Sequence, residues 1–459
     1  MSQPEDIRWL CHPEAENYVA GHLEQFTSTM APVHDFVADL WAQTSTRLID
    51  WLDHLVLAGG DRPESDLRAL GFEREEVEAG DQDTVFYHPG TMLPRILLRR
   101  ETGAEPATPL AVAIQTEDIG FFLMTHHLTG AIEGSPVSPY RRAVAWRDGG
   151  RELLVVERRG HSGFVPTTMP PDYPERYLRG FERWAVRPRL FDDELEGMRS
   201  TLALAQSLVS DLGTDTAAWV AFAAERAHWQ RRNRAGKVQK ARQDTLGLGW
   251  ANHDHHTFRS SRATFPLLIQ VLETFGFQVR ERFYAGAQAG WGAQVMEQPV
   301  CRFAVFADVD LSPEEVGGDF AHQPLAPRDE LGTVGLWCAL HGESMLGAGL
   351  HHLAARLGFD QATADLAEWD VGMMRPFSDF PYLRQAFTRG ERWQVAPQRL
   401  DRLVTAGQID ASQRARFAEE GAIGSHLENI QRAQGFKGFN QETVSDIIRR
   451  TDPRGEIGA

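Results

Sequence analysis

Apolar residues over the first 46 positions recur at helical spacing. The stretch APVHDFVADLWAQTSTRLIDWL keeps that period without an internal glycine or proline, which predicts an N-terminal helical segment over 1–46. From Trp51 the period shortens. WLDHLVLAGG reads as a strand closed by Gly59-Gly60, and SDLRALGF as a helix opened by Ser65 and ended by Gly71. Strand-like runs follow at TVFYH, RILLRR and PLAVAIQT, then a short helix over 118–128. RRAVAWRDGGRELLVVERR then reads as a hairpin turning at Asp148-Gly149-Gly150. Together, 47–165 is expected to form one βαβββ module.

A proline-rich stretch at 165–177 punctuates the chain, and two long helical patterns, 192–213 and 215–243, fill a linker region over 166–246. At Asn252 the first pattern returns. NHDHHTFRSS is a strand, FPLLIQVLETFGF a helix, and QVRERFYAG, WGAQVMEQP and CRFAVFADVDL are strands. This makes 247–324 a second, diverged βαβββ module. Residues 325–420 read as mostly helical. A closing strand, GSHLENIQRAQ, and a helix at ETVSDIIRR complete 421–459. The fold class expected is α+β: two βαβββ modules forming a cupped antiparallel sheet around a metal, with added helical regions.

Composition narrows the chemistry. A chain of 459 residues corresponds to two or three domains at about 150 residues each. Its formal charge of −17 argues against nucleic acid and anionic membranes as partners. The basic run RRNRAGKVQKAR is expected to be a solvated helix face. Three widely spaced cysteines exclude a disulfide framework and a zinc ribbon, and fit a reducing compartment. No apolar run reaches 18 residues and the N-terminus carries no signal pattern, so a soluble cytoplasmic protein is expected. P-loop, GxSxG, HExxH and GxGxxG signatures are absent.

The chain has 17 histidines, and their positions carry the candidate chemistry. Strand alternation puts His253, His255, Thr257 and Arg259 on one side of the NHDHHTFRSS strand. Imidazole suits a transition metal, and an arginine fork suits a carboxylate. His54 holds the matching place in the first strand of the first module. On the closing strand, His426, Glu428, Ile430 and Arg432 share a face, so Glu428 could complete a 2-His-1-carboxylate set. Glu152 and Glu157, on the last strand of the first module, are alternative carboxylates, and His253 an alternative imidazole. His341, Glu343 and His351-His352 fall on a helical pattern and are not expected to act jointly.

These segments resemble the 2-oxoadipate dioxygenase/decarboxylase (hydroxyglutarate synthase) family of the vicinal oxygen chelate superfamily. That family carries a His-x-x-x-Arg strand, similar to His255-His-Thr-Phe-Arg259 here. It carries an Asn-His-Leu strand followed by a helix and a proline-led ILLR strand, which Asp53-His54-Leu55, DLRALGF and Pro94-Arg-Ile-Leu-Leu-Arg99 resemble. Its Glu-x-x-Gln-Arg strand is matched by Glu428-Asn-Ile-Gln431-Arg432. The His54 segment precedes the His-x-x-x-Arg segment here, the reverse of the family order, as in a permuted relative. The resemblance implies Fe(II) held by His54, His255 and Glu428, with Arg259 clamping a substrate carboxylate and Gln431 and Arg432 as supporting residues. It implies O2 and a small 2-oxo dicarboxylic acid such as 2-oxoadipate as reactants, giving 2-hydroxyglutarate and CO2. A ring-cleaving dioxygenase, isomerase or lyase on the same cup, or a metal-free scaffold, are the alternatives.

Overall fold

The computed structural model describes residues 8–80, 83–100, 104–440 and 452–454. The helix expected at ETVSDIIRR lies outside them.

The strands form two sheets. The first contains β1 (Leu52–Ala58), β2 (Glu73–Glu75), β3 (Asp83–Tyr87), β4 (Arg95–Arg99), β5 (Pro109–Gln115), β6 (Tyr140–Asp148) and β7 (Arg151–Arg158). Their order is β2-β3-β4-β1-β5-β7-β6. The second contains β8 (His253–Arg259), β9 (Gln278–Tyr284), β10 (Trp291–Gln298), β11 (Phe303–Asp310), β12 (His352–Arg356), β13 (Ser378–Phe380), β14 (Leu383–Phe387), β15 (Glu391–Trp393) and β16 (Ala422–Arg432). Here the order is β13-β14-β16-β12-β8-β11-β10-β9, with β15 alongside β16.

Each sheet is a pair of modules joined back to back. A module's last strand returns parallel to its first, as β4 does to β1, β7 to β5, β11 to β8 and β16 to β12. The two first strands then pair antiparallel, β1 with β5 and β8 with β12. The α+β architecture of paired βαβββ modules is therefore built twice, in mixed rather than purely antiparallel sheets. Two sequence expectations are corrected. The segment 47–165 holds two modules, the second one strand short, and 325–420 contains β12 to β15 as well as helices.

Alternation explains the layering. In β8, His256 and Phe258 point to the helical side, where Phe222 packs edge-on against both. Leu353, Ala355 and Leu427 join the same core, with the helices at Glu194–Leu212, Thr214–Arg232 and Phe265–Thr274 above it. The opposite face of this sheet looks into the cup. In the first sheet, the helices Pro13–Thr29 and Ala31–Thr44 cover Leu55, Leu57, Ile96, Val112 and Leu153. Its inner face is apolar: Val56, Leu97, Ala111, Tyr140, Leu154 and Phe164 form one buried cluster. No helix among the described residues is long and apolar enough to cross a membrane.

Candidate metal centre

In the second cup, three adjacent strands each contribute one side chain. His255 on β8, His352 on β12 and Glu428 on β16 bring their donor atoms within 4.8 Å of one another, all buried. Register accounts for it. His352 lies opposite Thr257, two residues beyond His255, and beside His426, two residues before Glu428, so all five share the inner face. Glu428 Oε2 is 3.1 Å from both His255 Nε2 and His352 Nε2.

Polar neighbours orient each donor. Asp254 Oδ1 accepts from His255 Nδ1 at 3.0 Å, which leaves Nε2 facing the cluster. Arg432 grips Asp254 bidentately at 2.8 and 3.0 Å. Gln385 Nε2 donates to Glu428 Oε1 at 2.8 Å, and Thr257 Oγ1 lies 2.7 Å from His352 Nε2. His352 Nδ1 is buried with no partner. Burial pushes the His255 imidazole down, but Glu428 and Asp254 outweigh it and raise its pKa to about 9. Burial would raise Glu428, yet the two imidazoles hold it well below the usual carboxylate range. His352 stays below the ordinary histidine value because burial dominates.

Two imidazoles and a carboxylate, buried and converging from rigid strands, are a donor set that could hold a metal ion. A cavity of about 60 Å³ opens on them, walled by Phe283, Trp291, Phe306, Phe377, Phe387 and Phe439, with Asp308 at its edge. Burial raises Asp308 to about 7 against the opposing pull of Arg259. His351, His352 and His426 form a second close group sharing His352. Burial depresses all three of these imidazoles, with the neighbouring Arg259 charge adding to it, and this second group has no carboxylate among its donors.

The residues singled out in the sequence divide clearly. His255 and Glu428 meet, and Arg432 supports them through Asp254. Arg259 lies in the same strand face, buried, its Nε 3.6 Å from Asp308 and its guanidinium 5.6 Å from the Trp337 ring. Gln431 is elsewhere: its Oε1 accepts from the backbone N–H of Phe359. His253 turns away, bonded to Trp250 O at 2.8 Å and packed on His256 and Phe303. Glu157 is held by Arg141, Arg159 and the N–H of Ile119, and Glu152 by Arg147, all in the first sheet. His54 is also in the first sheet, so it is not brought to His255, and His352 takes the place expected for it. The signal for His352 was present: His352-Leu-Ala-Ala-Arg356 repeats the His-x-x-x-Arg spacing of His255 to Arg259.

The first cup repeats the frame without the second histidine and the glutamate. Asp53 Oδ2 is 2.6 Å from His54 Nδ1, and Arg158, ending β7, grips Asp53 as Arg432 grips Asp254. Four residues before Arg158, where the second cup has Glu428, stands Leu154. Ala111, opposite Val56, takes the place of His352 opposite Thr257.

No family model and no curated protein matches the chain. Among solved structures, a triple mutant of 4-hydroxymandelate synthase from Streptomyces coelicolor is 12% identical, covering 87% of this chain and 96% of its own, with a TM-score of 0.26. Methylmalonyl-CoA epimerase from Mycobacterium tuberculosis is 13% identical over 39% of this chain and 87% of its own, TM-score 0.23. A fusion of a xylose isomerase-like TIM barrel with 4-hydroxyphenylpyruvate dioxygenase is 11% identical over 88% and 52%, TM-score 0.23.

Proposed function

We propose that the chain is a non-haem Fe(II)-dependent oxygenase acting on a small 2-oxo dicarboxylic acid, with His255, His352 and Glu428 as the metal ligands. The observation that carries this reading is the convergence of those three buried donors on one cavity. The family resemblance supports it more directly than the sequence alone allowed. With His352-Leu353 as the second histidine segment, followed by the helix Phe359–Ala367 and the Pro381-led strand β14, the three segments run in the family's own order. No permutation is needed.

Bound there, Fe(II) supplies coordination positions for a 2-oxo acid and for O2. The protein's part is positioning. Asp254 keeps the His255 proton on Nδ1, and Gln385 occupies one oxygen of Glu428 so that the other faces the cluster. The aromatic wall lowers the local polarity, which strengthens charge interactions inside. Arg259, four residues beyond His255, holds a positive charge whose ion-pair partner Asp308 stands beyond hydrogen-bond distance. That leaves its fork able to take a substrate carboxylate.

Anaerobic reconstitution with Fe(II), followed by O2 uptake in the presence of 2-oxoadipate, tests the reading. One iron per chain is expected, lost in His255→Ala and His352→Ala and kept in His54→Ala. Absence of any bound transition metal would overturn the enzyme reading. Iron without uptake would overturn only the substrate.

A further inference from the structure

Between the two sheets lies a second, much larger cavity of 620 Å³, lined by residues of both, such as Arg95 and Arg158 from one and Asp254 and Arg432 from the other. That volume suits a small-molecule ligand. Eight arginine and lysine side chains line it against five carboxylates, in a protein of net charge −17. Several of those cations are already neutralised. Arg432 is committed to Asp254, and Arg158 to Asp53.

Others are not. Arg302, in the turn between β10 and β11, has a buried Nη2 with no hydrogen-bond partner and forms no ion pair among the described residues. Arg356, ending β12, has a buried Nε without a hydrogen-bond partner, and its nearest carboxylate, Asp254 at 3.5 Å, already carries Arg432. Lys437 shares its one carboxylate, Glu297, with Arg280. Behind Trp219, which forms part of the wall, Arg226 is 3% exposed and pairs with no carboxylate among the described residues; its Nη1 lies 3.2 Å from His256 Nε2 and its guanidinium 5.4 Å from the Trp219 ring. A buried cation without its own counterion is costly, and Arg302, beside Arg356 and Lys437 whose carboxylates are each shared with a second arginine, marks a place short of negative charge.

We infer that this chamber is an anion-binding site, separate from the metal centre, that takes a small multivalent oxyanion through Arg302, Arg356 and Lys437. The ligand chemistry is that of a phosphate ester or a polycarboxylate. The site also reaches the metal centre. Asp254 lines the chamber and accepts from His255 Nδ1, and Phe439 borders both cavities. An anion drawing Arg356 away from Asp254 alters the charge behind a metal ligand. The binding inference stands independently of the metal reading.

Isothermal titration of the full-length protein, without added metal and at low salt, with pyrophosphate and separately with citrate, tests it. Single-site, salt-sensitive binding is expected, weakened at least about tenfold in Arg302→Gln and in Arg356→Gln. Lys437→Gln, at a more accessible position, is the alternative variant should either fail to fold. Arg259→Gln should bind the probes as the unmodified protein does. Tighter pyrophosphate assigns phosphate esters and tighter citrate assigns polycarboxylates; either order supports the site. No binding of either probe overturns the inference, as does binding undiminished in Arg302→Gln/Arg356→Gln or lost in Arg259→Gln.

Discussion

Asp254→Asn and Asp53→Asn form a matched pair of perturbations. Each carboxylate is fully buried, salt-bridged to an arginine at the end of its sheet's closing strand, and hydrogen-bonded to the next residue's imidazole. Neutralising either strands a buried guanidinium, which costs about 3–5 kcal/mol when one partner of a buried pair is removed. Retained amide hydrogen bonds place the expected loss at the lower end. Stability should therefore fall similarly in both variants, read by urea unfolding of metal-free protein. Metal affinity should not. Only Asp254 orients a proposed ligand, and loss of such a supporting residue weakens binding about 10–100-fold, or ~1.4–2.7 kcal/mol. Competition between the protein and a chromophoric chelator for Co(II) measures this. Equal loss of affinity in both variants, or none in Asp254→Asn, would refute the assignment of the centre to the second cup.

Glu428→Gln in metal-free protein should lower the His255 pKa from about 9, because Glu428 is the larger of the two influences raising it; an imidazole NMR titration checks this. The same pair gives the metal-free protein a stability window. The depressed Glu428 contributes above its unfolded value of about 4.3 and is lost as pH falls through its folded value. The raised His255 contributes below about 6.5 and is lost as pH rises towards 9. Chemical denaturation across pH should thus peak between those two unfolded values for this pair and flatten in Glu428→Gln. Leu353→Ala, next to His352 but facing the helices and 0% exposed, should cost about 2–5 kcal/mol while metal stoichiometry stays at one. Arg259→Gln should leave Co(II) affinity within about threefold and weaken 2-oxo acid binding at least about tenfold, measured by substrate titration of the metal-loaded protein.

His255 and Glu428 were legible because each lies in an alternating strand whose inner-face residues can be read by parity. His352 was not. GLHHLAARLGF mixes leucine, alanine and arginine, good helix formers, and its strand state comes from pairing with β8 on one side and β16 on the other, which no local pattern contains. The same reason hid the first sheet's second module. β5 looks like a late strand of the first module, and only its antiparallel contact with β1 makes it the start of another. The repeat legible at Asn252 is present, but its unit is a pair of modules rather than one. The sequence points to His54 because it holds the first strand of its module, as His255 does, and because Asp53-His54-Leu55 resembles the family's second histidine segment. What differs is distant: Ala111 and Leu154 on neighbouring strands.

That likeness gives the molecule its own blank measurement. Two imidazoles stand in the same Asp-Arg cradle, in one chain, under one solvent condition. His54 is held below the ordinary histidine value by burial despite Asp53. His255, equally enclosed, is raised to about 9. The carboxylate present at one place and replaced by leucine at the other accounts for the opposite directions of the two shifts. Spectroscopic signals of His54 therefore report what the cradle alone does, and subtracting them from those of His255 isolates the contribution of Glu428 and His352.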